Sequence, residues 1–386
     1  MDFKDVSRIF SVNSFLALIF RNSILLLLLS CTSCSGLALK ITSAPEILTE
    51  PEPPLEIAWT YNARAGFGPD APLIYEDVVM VATRQGEVHV IDLNTGKRIG
   101  DRRFGNAVNG SPIVIDNTVI VPLAQGRRAL AAYDLDRAVM RWRTEGAPIQ
   151  VGIGPVDSGG IIVNTAGEVQ RFDVTTGANV WKYQIPERSR VYARPLIHLE
   201  FVIVGVDNGT ILALSLEDGA LIWSTHIGDP VYVTPAVHEK ELFISTTRGR
   251  LIAMDLQTGT ISWDAVLDDE TIRISTPAVD DEFVVIGGSD GVLRVFDQHT
   301  RQVKWDTQCP DALVAPPLMT TDVIYTGSMG NSLYAFDRYT GELLQTIELP
   351  GRVKSGIGVT ENGLIILTEP RHVVRLVTSN HNDETR

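Results

Sequence analysis

Short apolar runs recur along this chain at a nearly constant interval, and their length decides what they are. Phe201-Val-Ile-Val and Phe283-Val-Val-Ile are typical, and the runs follow Pro72, Pro112, Pro155, Pro195, Pro235, Pro277 and Pro317 in turn. Runs this short and this rich in β-branched residues predict strands. Beyond them stand Gly86, Gly167, Gly209, Gly249 and Gly291, with Asn331 in the same slot of the seventh unit and Gly126, beside an apparent two-residue insertion, in the second. Glycine and asparagine tolerate the positive φ of a tight hairpin.

A second signature closes each unit. Its cleanest copies are Asp173-Val-Thr-Thr-Gly177-Ala-Asn-Val-Trp181, Asp255-Leu-Gln-Thr-Gly259-Thr-Ile-Ser-Trp263 and Asp337-Arg-Tyr-Thr-Gly341, with degenerate copies at Asp92, Asp134, Ser215 and Asp297. All six tryptophans, Trp59, Trp142, Trp181, Trp223, Trp263 and Trp305, fall at one phase, 39 to 42 residues apart from slot to slot, and Gly100 and Gln345 fill the other two slots. A ring at one phase of every unit implies a wedge between neighbouring units. Each unit therefore predicts strand, strand, hairpin, strand, Thr-Gly turn, strand, which is one four-stranded antiparallel blade.

Eight slots with seven complete intervals predict an all-β, eight-bladed β-propeller whose last blade is composite. The segments Leu364-Ile-Ile-Leu and Val373-Val-Arg-Leu-Val lack a fourth strand, while Ile57-Ala-Trp-Thr-Tyr is a strand without a blade. Pairing the N-terminal strand with the C-terminal blade removes the unpaired edges. A seven-bladed ring with a frayed end is the structural rival.

The N-terminus reads differently. Lys4, Arg8 and Arg21 precede the apolar run Ile24 to Leu29, which ends in Ser30-Cys31. This is the layout of a secretory signal, and the run falls short of the roughly 20 apolar residues a spanning helix needs. Residues 35 to 55 then carry Pro45, Pro51, Pro53 and Pro54 among Glu46, Glu50 and Glu52, a composition that favours extended, solvated backbone. The expected organisation is a signal at 1–30, an acidic Pro-rich tether at 31–55, the propeller at 56–378 and a disordered tail at 379–386.

Charge narrows the partners. A net charge of −14, with 33 basic against 47 acidic residues, argues against nucleic acid, because neutralising phosphates needs a dense Lys/Arg surface. Cys31, Cys34 and Cys309 make no disulfide framework, although a bridge between Cys34 and Cys309 stays open. The seven histidines show no metal-ligand spacing, so neither a metal site nor a cofactor is expected.

The Asp-x-x-Thr-Gly-x-x-x-Trp unit, with Ala253 and Ala335 two residues before the Asp, resembles the PQQ-like propeller repeat over residues 56 to about 378. Leu28-Leu29-Ser30-Cys31 resembles a bacterial lipobox, which would make Cys31 the acylated, palmitate-bearing residue. Lipobox, tether and eight blades together resemble the BamB-type lipoproteins. That resemblance implies a non-enzymatic scaffold, lipid-anchored to the outer membrane on its periplasmic face. It also implies partners: the periplasmic domains of the central β-barrel assembly component, other members of the assembly complex, and unfolded outer-membrane proteins. A PQQ-dependent oxidoreductase and a ligand- or glycan-binding envelope propeller are the alternatives. The first is disfavoured by the missing Cys-Cys pair and by aspartates that recur as turn residues.

Candidate contacts come from the connections between blades, where loops vary without disturbing the sheets. Glu187-Arg188-Ser189-Arg190-Val191-Tyr192-Ala193-Arg194 concentrates three arginines and a tyrosine, the types that dominate interface energetics. Aligned on Pro195, Arg190 falls where the resemblance implies a partner-contacting arginine, and Asp229 of Gly228-Asp229-Pro230-Val231-Tyr232 lies near the acidic positions of the next connection. The expected partner-binding set is Arg188, Arg190, Tyr192, Arg194 and Asp229. For the anchor, metabolic labelling with palmitate should mark the wild type and not Cys31→Ala; label retained in Cys31→Ala would move the attachment to Cys34.

Overall fold

The computed structural model describes residues 50–186, 189–267 and 272–379. The signal segment, Cys31, Cys34, most of the tether, Arg188 and the tail from residue 380 lie outside the described residues.

Every regular element in the described residues is a strand. The strands form eight sheets in chain order: blades 1 to 7 span residues 73–103, 113–145, 154–184, 196–226, 236–266, 278–308 and 318–348, each with four antiparallel strands in simple meander order. Blade 8 combines Gly358–Thr360, Gly363–Glu369 and His372–Thr378 with the N-terminal strand Leu55–Asn62, and a two-residue strand, Arg352–Val353, adds a fifth member. The second strand of most blades, Val78–Ala82 for example, is buried at every residue. Its alternate side chains enter two different cores, because each sheet is packed on both faces by neighbouring blades.

Eight apolar clusters result, one at each seam. Val78, Met80, Tyr133 and Leu135 fill the seam between blades 1 and 2. At the far end of the chain Val79, Val81 and Ile91 of blade 1 pack with Ile365, Leu367 and Val373 of blade 8, so the ring is closed by a core like all the others.

The repeat signature has a local cause. Asp255 Oδ1 accepts the Thr258 N–H and hydroxyl, both at 2.8 Å, and Asp173 and Asp337 hold Thr176 and Thr340 in the same way. These bonds hold the three exposed carboxyls below the usual carboxylate range, which is the signature of a turn and not of catalysis. Gly259 then adopts φ +68°, and a Cβ there would stand 2.5 Å from the Trp223 ring of the preceding blade. Trp223 Nε1 completes the contact by donating to Leu256 O at 2.9 Å. Trp59, Trp142, Trp181 and Trp305 donate in the same way to Leu93, Val174, Leu216 and Arg338, over Gly96, Gly177, Gly219 and Gly341.

The N-terminal strand reproduces this arrangement in detail. It pairs antiparallel with His372–Thr378, and its register skips Ala58, the residue before Trp59. The outer strand of blade 4 likewise skips Ile222, the residue before Trp223. Gln345, in the slot that lacks tryptophan, accepts from Leu55 N and donates to Leu55 O, both at 2.8 Å, and so grips the first residue of the N-terminal strand.

One boundary differs from the composition-based expectation. Leu55 is a buried strand residue, and the Pro-rich residues before it lie on the ring: the Tyr325 hydroxyl donates to Pro51 O at 2.7 Å and Thr321 N to Glu50 Oε2 at 2.7 Å. Composition reads Pro and Glu as solvated, whereas here a tyrosine and a turn amide capture their backbone and carboxylate.

Glycine substitutions separate the two demands on the turn. Gly228 has φ +86° with open space around its Cβ position, so Gly228→Ala should cost only the backbone strain, about 1–2 kcal/mol. Gly259→Ala should cost a further ~1–3 kcal/mol, because the Trp223 ring must move. Chemical denaturation of the two variants checks the difference; equal losses would remove the ring from the account.

Candidate functional site

The meander order divides the ring into two faces. Connections between blades and the hairpins between second and third strands lie on one face; the Thr-Gly turns lie on the other. Residues 50–54 run beside the turn at Thr321, on the Thr-Gly side. The connections on the opposite face lie outside the Thr-Gly turns, where loops can differ without disturbing the sheets.

The connection after blade 3 is shaped by alternation. Val191 and Ala193 point into the protein, Val191 against the core between blades 3 and 4, while Tyr192 points outward. Its backbone is fixed to a neighbouring hairpin, since Arg190 N donates to Asp207 Oδ1 at 2.9 Å and Asp207 N to Arg190 O at 3.0 Å. In the next connection Val231 is fully buried, filling the space that Gly205 leaves by lacking a Cβ, and Tyr232 is thereby turned to solvent.

Tyr192 and Tyr232 meet as a tilted aromatic pair with ring centroids 4.6 Å apart, and both are over 40% exposed, at 43% and 46%. The fully exposed Arg190 guanidinium hydrogen-bonds the Tyr192 hydroxyl, which pushes its pKa further up and keeps the charge beside the rings. The structure thus brings Arg190, Tyr192 and Tyr232 into one outward surface. Tyr232 was not among the expected contacts, although an aromatic two residues after a proline in a blade connection is a signal that sequence carries.

The other expected residues are placed differently. Arg194 turns inward, toward Asp70 of the connection that precedes blade 1: a Cβ on Gly152 would touch both side chains. Burial raises the Asp70 pKa, opposed by Arg194 and by the Ser111 N–H, which donates to Asp70 Oδ2 at 2.9 Å. Asp70 thereby ties together the connections before blades 1 and 2, with Arg194 reaching in from the one before blade 4.

Asp229 is buried and engaged within the chain. Its carboxylate receives Arg250 at 3.0 Å and Arg248 at 3.5 Å, and Arg250 also reaches Asp264 and Ile227 O. The bond to Asp264 is the main reason the Arg250 pKa is raised. Arg248, 60% exposed at its side chain, presents the free end of this network. An acidic position in a loop sequence gives no sign that two arginines of the following blade will cover it. Cys309 is buried between blades 6 and 7, and burial pushes its thiol up to about 11.

Comparisons with known proteins fit this architecture. The family model described as outer membrane protein assembly factor BamB matches residues 55–205 and 207–315, and the chain belongs to that family. An outer membrane protein assembly factor BamB of Burkholderia pseudomallei is 27% identical over 197 residues, 48% of this chain and 50% of that protein, so the alignment spans half the length of that relative. The crystal structure of BamB from Moraxella catarrhalis superposes with a TM-score of 0.71 at 18% identity, over 84% of this chain and 99% of that one. A quinohemoprotein alcohol dehydrogenase from Pseudomonas putida does so with a TM-score of 0.69 at 14% identity, over 84% of this chain and 76% of that one. At such identities the structural likenesses speak for the fold alone.

Proposed function

We propose that this member of the BamB family is a non-enzymatic scaffold that assists assembly of β-barrel proteins into the outer membrane. The observation that carries the reading is the rigid outward surface of Arg190, Tyr192 and Tyr232, displayed on the face opposite the entry of the N-terminal segment. Arg and Tyr anchors on a fixed backbone are what a partner surface needs, because little side-chain freedom is lost on docking. Lipid attachment at Cys31 would anchor the chain to the outer membrane.

The partners on this reading are the periplasmic domains of the central barrel-assembly component, other members of its complex and unfolded outer-membrane proteins. In a chain of net charge −14, a guanidinium on a hairpin-braced loop favours an acidic or carbonyl-rich partner surface. Asp229 and Arg250 serve by keeping the second connection stiff, with Arg248 at its rim. The likeness to an alcohol dehydrogenase concerns the ring and brings no catalytic group with it.

Arg190→Glu should weaken co-purification with the barrel-assembly core by about 2 kcal/mol or more, roughly thirty-fold, without changing the thermal unfolding of the propeller. Tyr232→Ala should weaken it in the same direction. Undiminished recovery of the core with both variants, each folded, would remove this surface as the docking site.

A further inference from the structure

The Thr-Gly face carries a cluster whose members lie one blade apart in the chain. His238 ends the strand Ala236–His238 of blade 5, Glu239 follows it in the turn, and Asp281 occupies the corresponding turn of blade 6. His238 Nε2 lies 2.9 Å from Asp281 Oδ1, and one donor atom from each of the three residues falls within 4.8 Å of the other two. They line a pocket together with Glu241, Gln298, His299 and Arg301.

The nearby charges are already committed. Glu241 pairs with Arg301 and accepts the Ser262 hydroxyl at 3.0 Å. Glu239 and Asp281 are exposed, and among the described residues no cation is paired with Glu239 and none but His238 with Asp281. An imidazole and two carboxylates therefore converge, while Arg301, which lines the same pocket, is paired with Glu241.

We propose that His238, Glu239 and Asp281 form a binding site for a divalent transition-metal ion of the zinc class. Zinc takes imidazole nitrogen and carboxylate oxygen at about 2.0–2.2 Å, which puts neighbouring donors of a tetrahedral site about 3.3 Å apart. His238 Nε2 and Asp281 Oδ1 stand 2.9 Å apart and every donor pair lies within 4.8 Å, so rotamer shifts on the order of 1 Å would complete the set. The fourth position would be left to water, as in zinc sites with three protein ligands. Calcium is disfavoured, since it seeks six to eight oxygens and one of the three donors is a nitrogen.

The location gives the ion a structural consequence. The seam between blades 5 and 6 is where the turn carries Arg301, at φ +61°, in place of glycine, and the Arg301 guanidinium stacks 5.8 Å from the Trp263 ring centroid. A metal joining His238 and Glu239 to Asp281 would fasten that same seam on its inner side.

The test is titration of Zn²⁺ into the full chain after chelator stripping, followed by calorimetry and by thermal unfolding. The wild type should bind one Zn²⁺ per chain and unfold at a higher temperature with it. His238→Ala and Asp281→Asn should each bind at least tenfold more weakly and lose that gain, while unfolding like the stripped wild type without metal. Absence of stoichiometric Zn²⁺ binding, undiminished affinity in both variants, or an equal response to Ca²⁺ would each overturn the proposal.

Discussion

The contact on which the ring depends is the indole of one blade lying on the Thr-Gly turn of the next. It makes opposite demands on the two sides of a seam. The turn must offer a residue with positive φ and no Cβ, and the facing strand must offer a flat ring with a donor at its edge. Five seams satisfy both, through Trp59, Trp142, Trp181, Trp223 and Trp305. The remaining three depart in a consistent manner. Where Gly100 replaces the ring, the facing turn holds Ala138 at φ +55°, its methyl packed against the core between blades 1 and 2. Where Arg301 replaces the glycine, Trp263 meets a guanidinium. Where no turn exists to be covered, Gln345 grips a strand terminus by its backbone.

That last exception explains how a repeating chain ends. Blade 8 has three strands of its own kind and no Thr-Gly turn to lead into a fourth, so its outer strand comes from the N-terminus. The borrowed strand brings Trp59, which latches onto the turn of blade 1 as the other tryptophans latch onto theirs. Both ends of the fold meet on one side of the ring, and the repeat turns occupy that side all the way round. The connections on the other face carry none of these turns, and they display the surface of Arg190, Tyr192 and Tyr232.

Much of the fold was legible because its constraint repeats. One latch imposes Asp, Thr, Gly and Trp at fixed spacing, so the period, the blade count and the composite eighth blade could all be read from residues. Contacts that do not repeat were harder to read. Asp229 read as an exposed acid, yet arginines of the next blade bury it. Arg194 read as a partner-binding residue alongside Arg190, yet it turns toward Asp70, more than a hundred residues earlier. His238 and Asp281 show no ligand spacing, since they lie at corresponding turns of successive blades. Residues 50–54 read as tether because the Tyr325 hydroxyl and Thr321 amide that hold them lie in another blade.

The central claim is that the ring closes through the N-terminal strand. Hydrogen exchange of the full chain tests it most directly, read on peptides covering Leu55–Asn62 and His372–Thr378. The account predicts protection equal to that of the corresponding outer pair in blade 4, Thr210–Ser215 with Leu221–His226. Exchange of both segments as fast as unpaired chain, with blade 4 still protected, would contradict it.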